Sequence, residues 1–355
     1  MINIISFLSA IVFSFLLTIP TISLAKKFGL VTDKKKRIHP AHTHTGIIPR
    51  AGGLPIFLAI FLTTILFIPL NKIIIGVLIS SFILVIVGLL DDYYDLSPYL
   101  RFFLNLFVSA LVIAFGLGIP YLSNPLSGGV IRLDTWSIAI NFFGQHRFLI
   151  LADTLAILWL SWTTNMVNWS KGVDGQLPGF VGITAFFLGL LSQRFTGHDI
   201  TIQTVTLFSF AVAGAYFGFL PFNFYPQKIM PGYGGGALAG FLLGILSIIS
   251  FGKLGTALLI LSVPLIDATY TMIRRLKAGK SPFKADWGHL HHRLLEIGWG
   301  KRRIALFYWL ISFALGVSAL FLKGIEKVIV FIAVAVILIV FIFILEKIKK
   351  GAPSV

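Results

Sequence analysis

Cysteine is absent from this chain, and acidic residues are scarce, with 13 Asp and Glu among 355 residues. The first absence excludes disulfides and thiolate metal sites. Charged residues of either sign make up only 12% of the sequence, too few to cover a water-soluble domain. The chain has no repeat of fixed period, no low-complexity tract and no polar segment long enough for a second soluble domain. No basic residue precedes the first apolar run, and no small-residue cleavage site stands out. That run reads as a retained membrane helix and not as a signal peptide.

Apolar sequence is what the chain has in excess: 57% of residues are hydrophobic, and the mean hydropathy is +0.93. About eleven runs are long enough to cross ~30 Å of hydrocarbon as helices. They cover roughly 4–25, 53–70, 73–90, 99–119, 149–168, 177–193, 201–221, 235–251, 254–273, 304–322 and 327–346. The expectation is an all-α, polytopic integral membrane protein with about 10–11 transmembrane helices, in a single domain over residues 1–355.

A net charge of +16 raises nucleic acid as a partner, and the positions of the charges argue against it. With the N-terminus outside and the C-terminus cytoplasmic, 22 of the 29 lysines and arginines fall on the inner side, in keeping with the positive-inside rule. The basicity is topological. The inner loops are then roughly 26–52, 91–98, 169–176, 222–234 and 274–303. The outer stretch at about 120–148 shows no catalytic pattern.

The segment "SSFILVIVGLLDDYYDLSPYL" ends an apolar run in Asp91, Asp92 and Asp95. If the helix continues to Asp95, spacings of three and four place the carboxylates on one face. The helix macrodipole already disfavours negative charge at that end, so a cation is expected there. Mg²⁺ suits oxygen ligands and phosphate substrates; a solvated acidic cap paired with neighbouring Lys and Arg is the alternative. Ser97 as N-cap and Pro98 at the first helical position predict a new helix.

In "TNMVNWSKGVDGQLPG", Asn165 and Asn168 stand one turn from Lys171, Gly172, Asp174 and Gly175. Two amides, an ammonium, a carboxylate and turn-forming glycines can grip a nucleotide or pyrophosphate; a plain polar helix end is the other reading. In "KADWGHLHHRLLEIGW", His289 and His292 share a helical face and Arg293 adds a phosphate fork beside His291. Zinc is the competing use of three histidines, but the basic surroundings favour an anion. "PRAGGLP" sets Arg50 before a helix start whose free N–H groups can receive phosphate. His39, His42 and His44 read as part of a basic loop. Gly236, Gly240 and Gly244 recur every four residues, a signature of close helix packing, with homodimerisation as the lesser option.

Taken in order, "PRAGG", "DDYYDLSP", "NMVNWSKGVDG", "FNFYPQKIM" and "GHLHHRLLEIGW" resemble the polyprenyl-phosphate N-acetylhexosamine-1-phosphate transferases, glycosyltransferase family 4. The resemblance spans nearly the whole chain. It implies a multi-pass enzyme of the plasma membrane with its site on the cytoplasmic face. Its partners would be a UDP-sugar and a polyprenyl phosphate, a membrane lipid, and its cofactor Mg²⁺ or Mn²⁺. It implies catalytic and metal duty for Asp91, Asp92 and Asp174. Substrate binding would fall to Arg50, Asn165, Asn168, Lys171, His289, His291, His292 and Arg293. The "GHLHH" form looks like the N-acetylglucosamine 1-phosphate branch, with the phospho-N-acetylmuramoyl-pentapeptide branch as the alternative.

Two departures matter. The family's "DGxDG" is "KGVDG" here, and its "MGDxGS" is "PGYGGG". Lys171 and Tyr233 therefore stand where carboxylates are expected, and a phenol of pKa ~10 is a poor Mg²⁺ ligand. Three outcomes stay open: weaker metal binding, an ammonium that takes over part of the metal's role, or a non-catalytic homologue. A transporter, which would bury charge at mid-membrane, is the remaining rival.

Overall fold

Backbone N–H and C=O groups in hydrocarbon must be satisfied within the segment, so the apolar runs can only fold as helices. The computed structural model, which describes residues 2–33, 46–141, 145–194, 200–250, 254–281 and 287–351, shows this outcome. The helices are α1 Ile2–Lys27, α2 Gly53–Phe67, α3 Lys72–Tyr94, α4 Pro98–Ala114, α5 Ile150–Trp169, α6 Gln176–Gln193 and α7 Ile200–Asn223. They continue as α8 Gly232–Ile249, α9 Leu254–Ile260, α10 Ser262–Lys277, α11 Leu290–Glu296, α12 Lys301–Phe321 and α13 Gly324–Gly351. Among the described residues, eight helices are long and apolar enough to cross a membrane, and α9 with α10, bent by 79°, can count as a ninth span. The shorter apolar helices α2 and α4 occupy the two remaining apolar runs. The protein is a multi-pass, mostly helical membrane protein. His39, His42 and His44 lie outside the described residues.

Short strands interrupt this picture outside the apolar runs. Val31–Asp33 (β1) pairs antiparallel with Ile47–Pro49 (β2), Tyr121–Ser123 (β3) with Val130–Arg132 (β4), and Ser137–Asn141 (β5) with Gln145–Leu149 (β6). Four of these strands fill the 120–148 stretch, whose short alternating segments carry no helical period. The end of the first hairpin is tied into the bundle. Arg50 forms a parallel bridge with Met230, and Gly52 N–H donates to Met230 O at 3.0 Å. The segment holding Arg50 is thereby fastened to the loop between α7 and α8.

Helix α8 is the axis of the molecule. Every residue from Gly232 to Ile248 is buried, enclosed by α2, α3, α5, α6 and α7. Such close approach requires missing side chains: a Cβ on Gly88 of α3 would lie 2.5 Å from Gly234 N. The glycine stripe faces α5, since a Cβ on Gly240 would sit 2.6 Å from Thr164 Cα and one on Gly244 3.0 Å from Leu160 Cδ2. The stripe is engaged inside the chain, which leaves it no part in a dimer face. At the periphery, α13 exposes Ile332, Val336, Val340 and Phe343, as a lipid-facing helix does. A cavity of about 310 Å³ lies at the far end of the bundle, lined mostly by apolar residues such as Ile74, Leu117, Ile119 and Val205. It contains none of the residues the sequence singled out.

Candidate active site

The ends of α3, α5, α7 and α10 and the starts of α4, α6, α8 and α12 meet at one end of the bundle. Helix α3 stops at Tyr94, and Asp95 follows as a left-handed C-cap (φ 57°), its N–H donating to Asp91 O at 2.8 Å. Asp95 is exposed, so the acidic group that enters the protein is the buried pair Asp91 and Asp92. Ser97 Oγ accepts from Leu100 N–H at 3.2 Å and Pro98 opens α4, which is the predicted start.

Each of these two carboxylates has an arginine beside it. Arg101, one turn into α4, reaches Asp91 Oδ1 at 3.2 Å. Arg50 Nη2 lies 3.0 Å from Asp92 Oδ1, which also accepts from Tyr233 N–H at 3.0 Å. Asp92 thus caps the N-terminus of α8, where the helix dipole favours an anion. Gly232 makes room for it: its φ is +70°, and a Cβ there would strike Asp92 Oδ2.

Lys171 enters the same cluster from the loop after α5. Its Nζ donates to Asn168 Oδ1 at 2.6 Å and to Gly232 O at 2.8 Å. The ring of Tyr233 serves as a platform for two cations, with Lys171 Nζ 5.6 Å and Arg101 Cζ 5.4 Å from its centroid. Its hydroxyl donates to Asn105 Oδ1 at 3.1 Å, and Asn105 Nδ2 reaches Asn165 Oδ1 at 3.4 Å. Burial lowers the pKa of the Lys171 ammonium to about 7, opposed by the attraction of Asp92 and helped by the repulsion of Arg50.

Asp174 makes its bonds elsewhere, to Lys301 Nζ at 3.1 Å and to Gln227 Nε2 at 3.0 Å. The histidine segment joins from the other side. His289 Nδ1 lies 3.0 Å from Asp267 Oδ2, and Asp267 Oδ1 accepts from Leu290 N–H at 2.7 Å. The His291 ring stacks on that of His289 at 5.7 Å and presses on Gly172, where a Cβ would clash with it. Burial, with His292 and His289 beside it, holds His291 well below the usual histidine range, so it is a neutral hydrogen-bonding group. Its Nδ1 is buried with no protein partner. His292 packs on Trp287 at 4.5 Å. Arg293 donates from Nε to Gly288 O at 2.9 Å and pairs through Nη1 with Glu346 of α13 at 2.6 Å. Only its buried Nη2 is left without a protein partner.

The donor set does not fit a divalent cation held by three carboxylates. Among the described residues, no three His, Asp or Glu side chains gather in a group able to hold a metal ion. Asp91 and Asp92 each already have a guanidinium. A dication beside Lys171 would be repelled by its ammonium or would force it to give up its proton. What the arrangement can do is hold anions: three cations, two of them balanced by buried carboxylates, stand beside amide and imidazole hydrogen-bonding groups. Exposed Tyr93, Tyr94, Tyr99 and Phe103 ring this end, the composition of a membrane–water interface.

Sequence reasoning passed over Arg101, Asn105, Asp267 and Lys301 as site residues. Asn105 carried a usable signal, being an amide in the middle of such a run. Arg101 and Lys301 each open a helix, which gives no local cue to a partner.

The profile of the family described as glycosyl transferase family 4 matches residues 74–251, the interval that holds the carboxylate pair, Lys171 and Tyr233. The probable undecaprenyl-phosphate N-acetylglucosaminyl 1-phosphate transferase of Bacillus subtilis is 31% identical over 85% of this chain and 79% of that protein. The decaprenyl-phosphate N-acetylglucosaminephosphotransferase of Mycobacterium tuberculosis (strain H37Rv) is 31% identical over 85% of this chain and 78% of its own length. The undecaprenyl-phosphate alpha-N-acetylglucosaminyl 1-phosphate transferase of Escherichia coli (strain K12) is 30% identical over 79% of this chain and 73% of that protein.

Proposed function

The chain belongs to glycosyl transferase family 4, and from that membership we propose that it transfers N-acetylglucosamine 1-phosphate from a UDP-sugar to polyprenyl phosphate. UMP is released, and the product opens a cell-envelope glycan. The observation that carries the reading is the cationic cluster of Arg50, Arg101 and Lys171 at the membrane boundary, in a chain whose relatives are named as transferases of N-acetylglucosamine 1-phosphate and polyprenyl phosphate. The distribution of Lys and Arg supports a cytoplasmic site in the plasma membrane, an outer N-terminus and a cytoplasmic C-terminus.

In the transfer, an oxygen of the lipid phosphate attacks the β-phosphorus of the UDP-sugar. The new P–O bond forms as the bond from that phosphorus to the bridging oxygen breaks, and UMP leaves with the electron pair. A phosphate monoester with a second pKa near ~6 is largely dianionic at neutral pH and needs little help from a base. The protein's task is to bring together anions that repel each other. Arg50, Arg101 and Lys171 supply charge, Asn165 and Asn168 supply amides, and neutral His291 offers Nδ1 to a phosphate or sugar hydroxyl.

The test is transfer by the purified protein in detergent, with polyprenyl phosphate and either UDP-N-acetylglucosamine or UDP-N-acetylmuramoyl-pentapeptide as donor. Lipid-linked N-acetylglucosamine is expected. Product from the pentapeptide donor alone, or from neither donor, would overturn the reading.

A further inference from the structure

The misfit between this donor set and a divalent cation has a positive counterpart. The ammonium of Lys171 lies where a cation would screen phosphates: within the field of Asp91 and Asp92, beside Asn168 and at the N-terminus of α8. Its two hydrogen bonds go to neutral oxygens, an amide and a peptide carbonyl. A third N–H therefore remains for an anion, whose charge would hold the lysine in its protonated form.

The surroundings are shaped to this lysine. A Cβ on Gly236 would press to 3.0 Å from Lys171 Cδ, so glycine there clears the path of its stem. Tyr233 gives the ammonium and the Arg101 guanidinium a π surface, which attracts cations and would offer a divalent ion no charged oxygen. Asp91 and Asp92 are each matched by an arginine. A metal ion would have to displace those arginines and then stand among three cations.

We propose that Lys171, held by Asn168, Gly232 and the Tyr233 ring, is the built-in cation of this site, so that it binds the phosphates of its substrates without a divalent metal. The proposal rests on the transferase reading for the identity of the phosphates, but its geometry stands apart from it.

Two measurements separate the two. The first is binding of UMP to the purified protein in EDTA and in Mg²⁺. The parent should bind UMP in EDTA, with its affinity changed less than about two-fold by Mg²⁺. Lys171→Met should weaken binding about ten-fold or more in both buffers, the usual scale for a charge-assisted hydrogen bond. Lys171→Arg should retain most of it, and monodisperse elution of each variant guards against misfolding. The second is Mn²⁺ titration followed by electron paramagnetic resonance. The parent should show no stoichiometric site, and Lys171→Asp combined with Tyr233→Asp should create one. UMP binding that vanishes in EDTA and returns with Mg²⁺, or one tightly bound Mn²⁺ in the parent, would overturn the proposal. Metal-independent UMP binding without transfer from any UDP-sugar would sustain it and sink the transferase reading.

Discussion

At the scale of single residues, the cluster works by mutual compensation, so each member's loss should be felt through its partners. Asp92 balances Arg50 and caps α8 through Tyr233 N–H. Asp92→Asn should therefore lower transfer by about two orders of magnitude, because it leaves the half-buried Arg50 guanidinium unmatched and loosens the N-terminal end of α8. Asp95→Ala, at an exposed C-cap, should cost little, and an equal loss in both variants would contradict this division. Lys171 adds a pH dependence. Without ligand it loses its proton as pH rises through about 7, with Arg50, Arg101, Asp91, Asp92 and Tyr233 as the charged or titratable groups that face it. The diester phosphates of a UDP-sugar keep a constant charge in this range, so binding above the lysine's pKa must take up a proton. Affinity for the UDP-sugar should then fall by up to about ten-fold per pH unit on the alkaline side. Lys171→Arg should flatten the curve between about pH 7 and 9, since guanidinium keeps its proton there; an unchanged slope would assign the dependence to another group. Much of this site was legible in the sequence because Asp91, Asp92, Asn165, Asn168 and Lys171 occupy local patterns. The pairing of Arg293 with Glu346, and of His289 with Asp267, was not legible, because each joins residues on different helices with no spacing to betray it.

At the scale of elements, small residues decide how close the helices come, and so where the cluster's members stand. Gly88 and Gly234 allow α3 to touch α8 backbone to backbone, which sets Asp92 over the first turn of α8. Gly88→Leu should force these helices apart and destabilise the fold by roughly 1–3 kcal/mol, the usual cost of overpacking. Thermal unfolding in detergent would show it as a lowered midpoint, and an unchanged midpoint would mean that the contact is loose. The helices themselves were plain from the apolar runs, and the α3–α4 turn was plain from Ser97 and Pro98. The hairpins of 120–148 were not, since strands of three to five residues are too short to show a period against their flanking turns. The break between α9 and α10 was hidden for a different reason: both halves are apolar enough to read as one run.

At the scale of the whole molecule, the site is the place where many helix ends converge, so its members share one side of the membrane. The absence of native cysteine makes that testable with single introduced thiols. Cysteines at exposed Ser97 and Gly300 should be labelled by an impermeant reagent only from the cytoplasm, and one at exposed Ser127 only from outside. Labelling of Ser97 and Ser127 positions from the same side would break the proposed topology. Transfer of a sugar 1-phosphate is decided by the fate of the β-phosphorus. The purified protein would be given polyprenyl phosphate and UDP-N-acetylglucosamine labelled at that atom. The label should enter the lipid product with the sugar, one UMP appearing for each lipid labelled; label leaving on UDP, or absent from the lipid altogether, would contradict sugar 1-phosphate transfer.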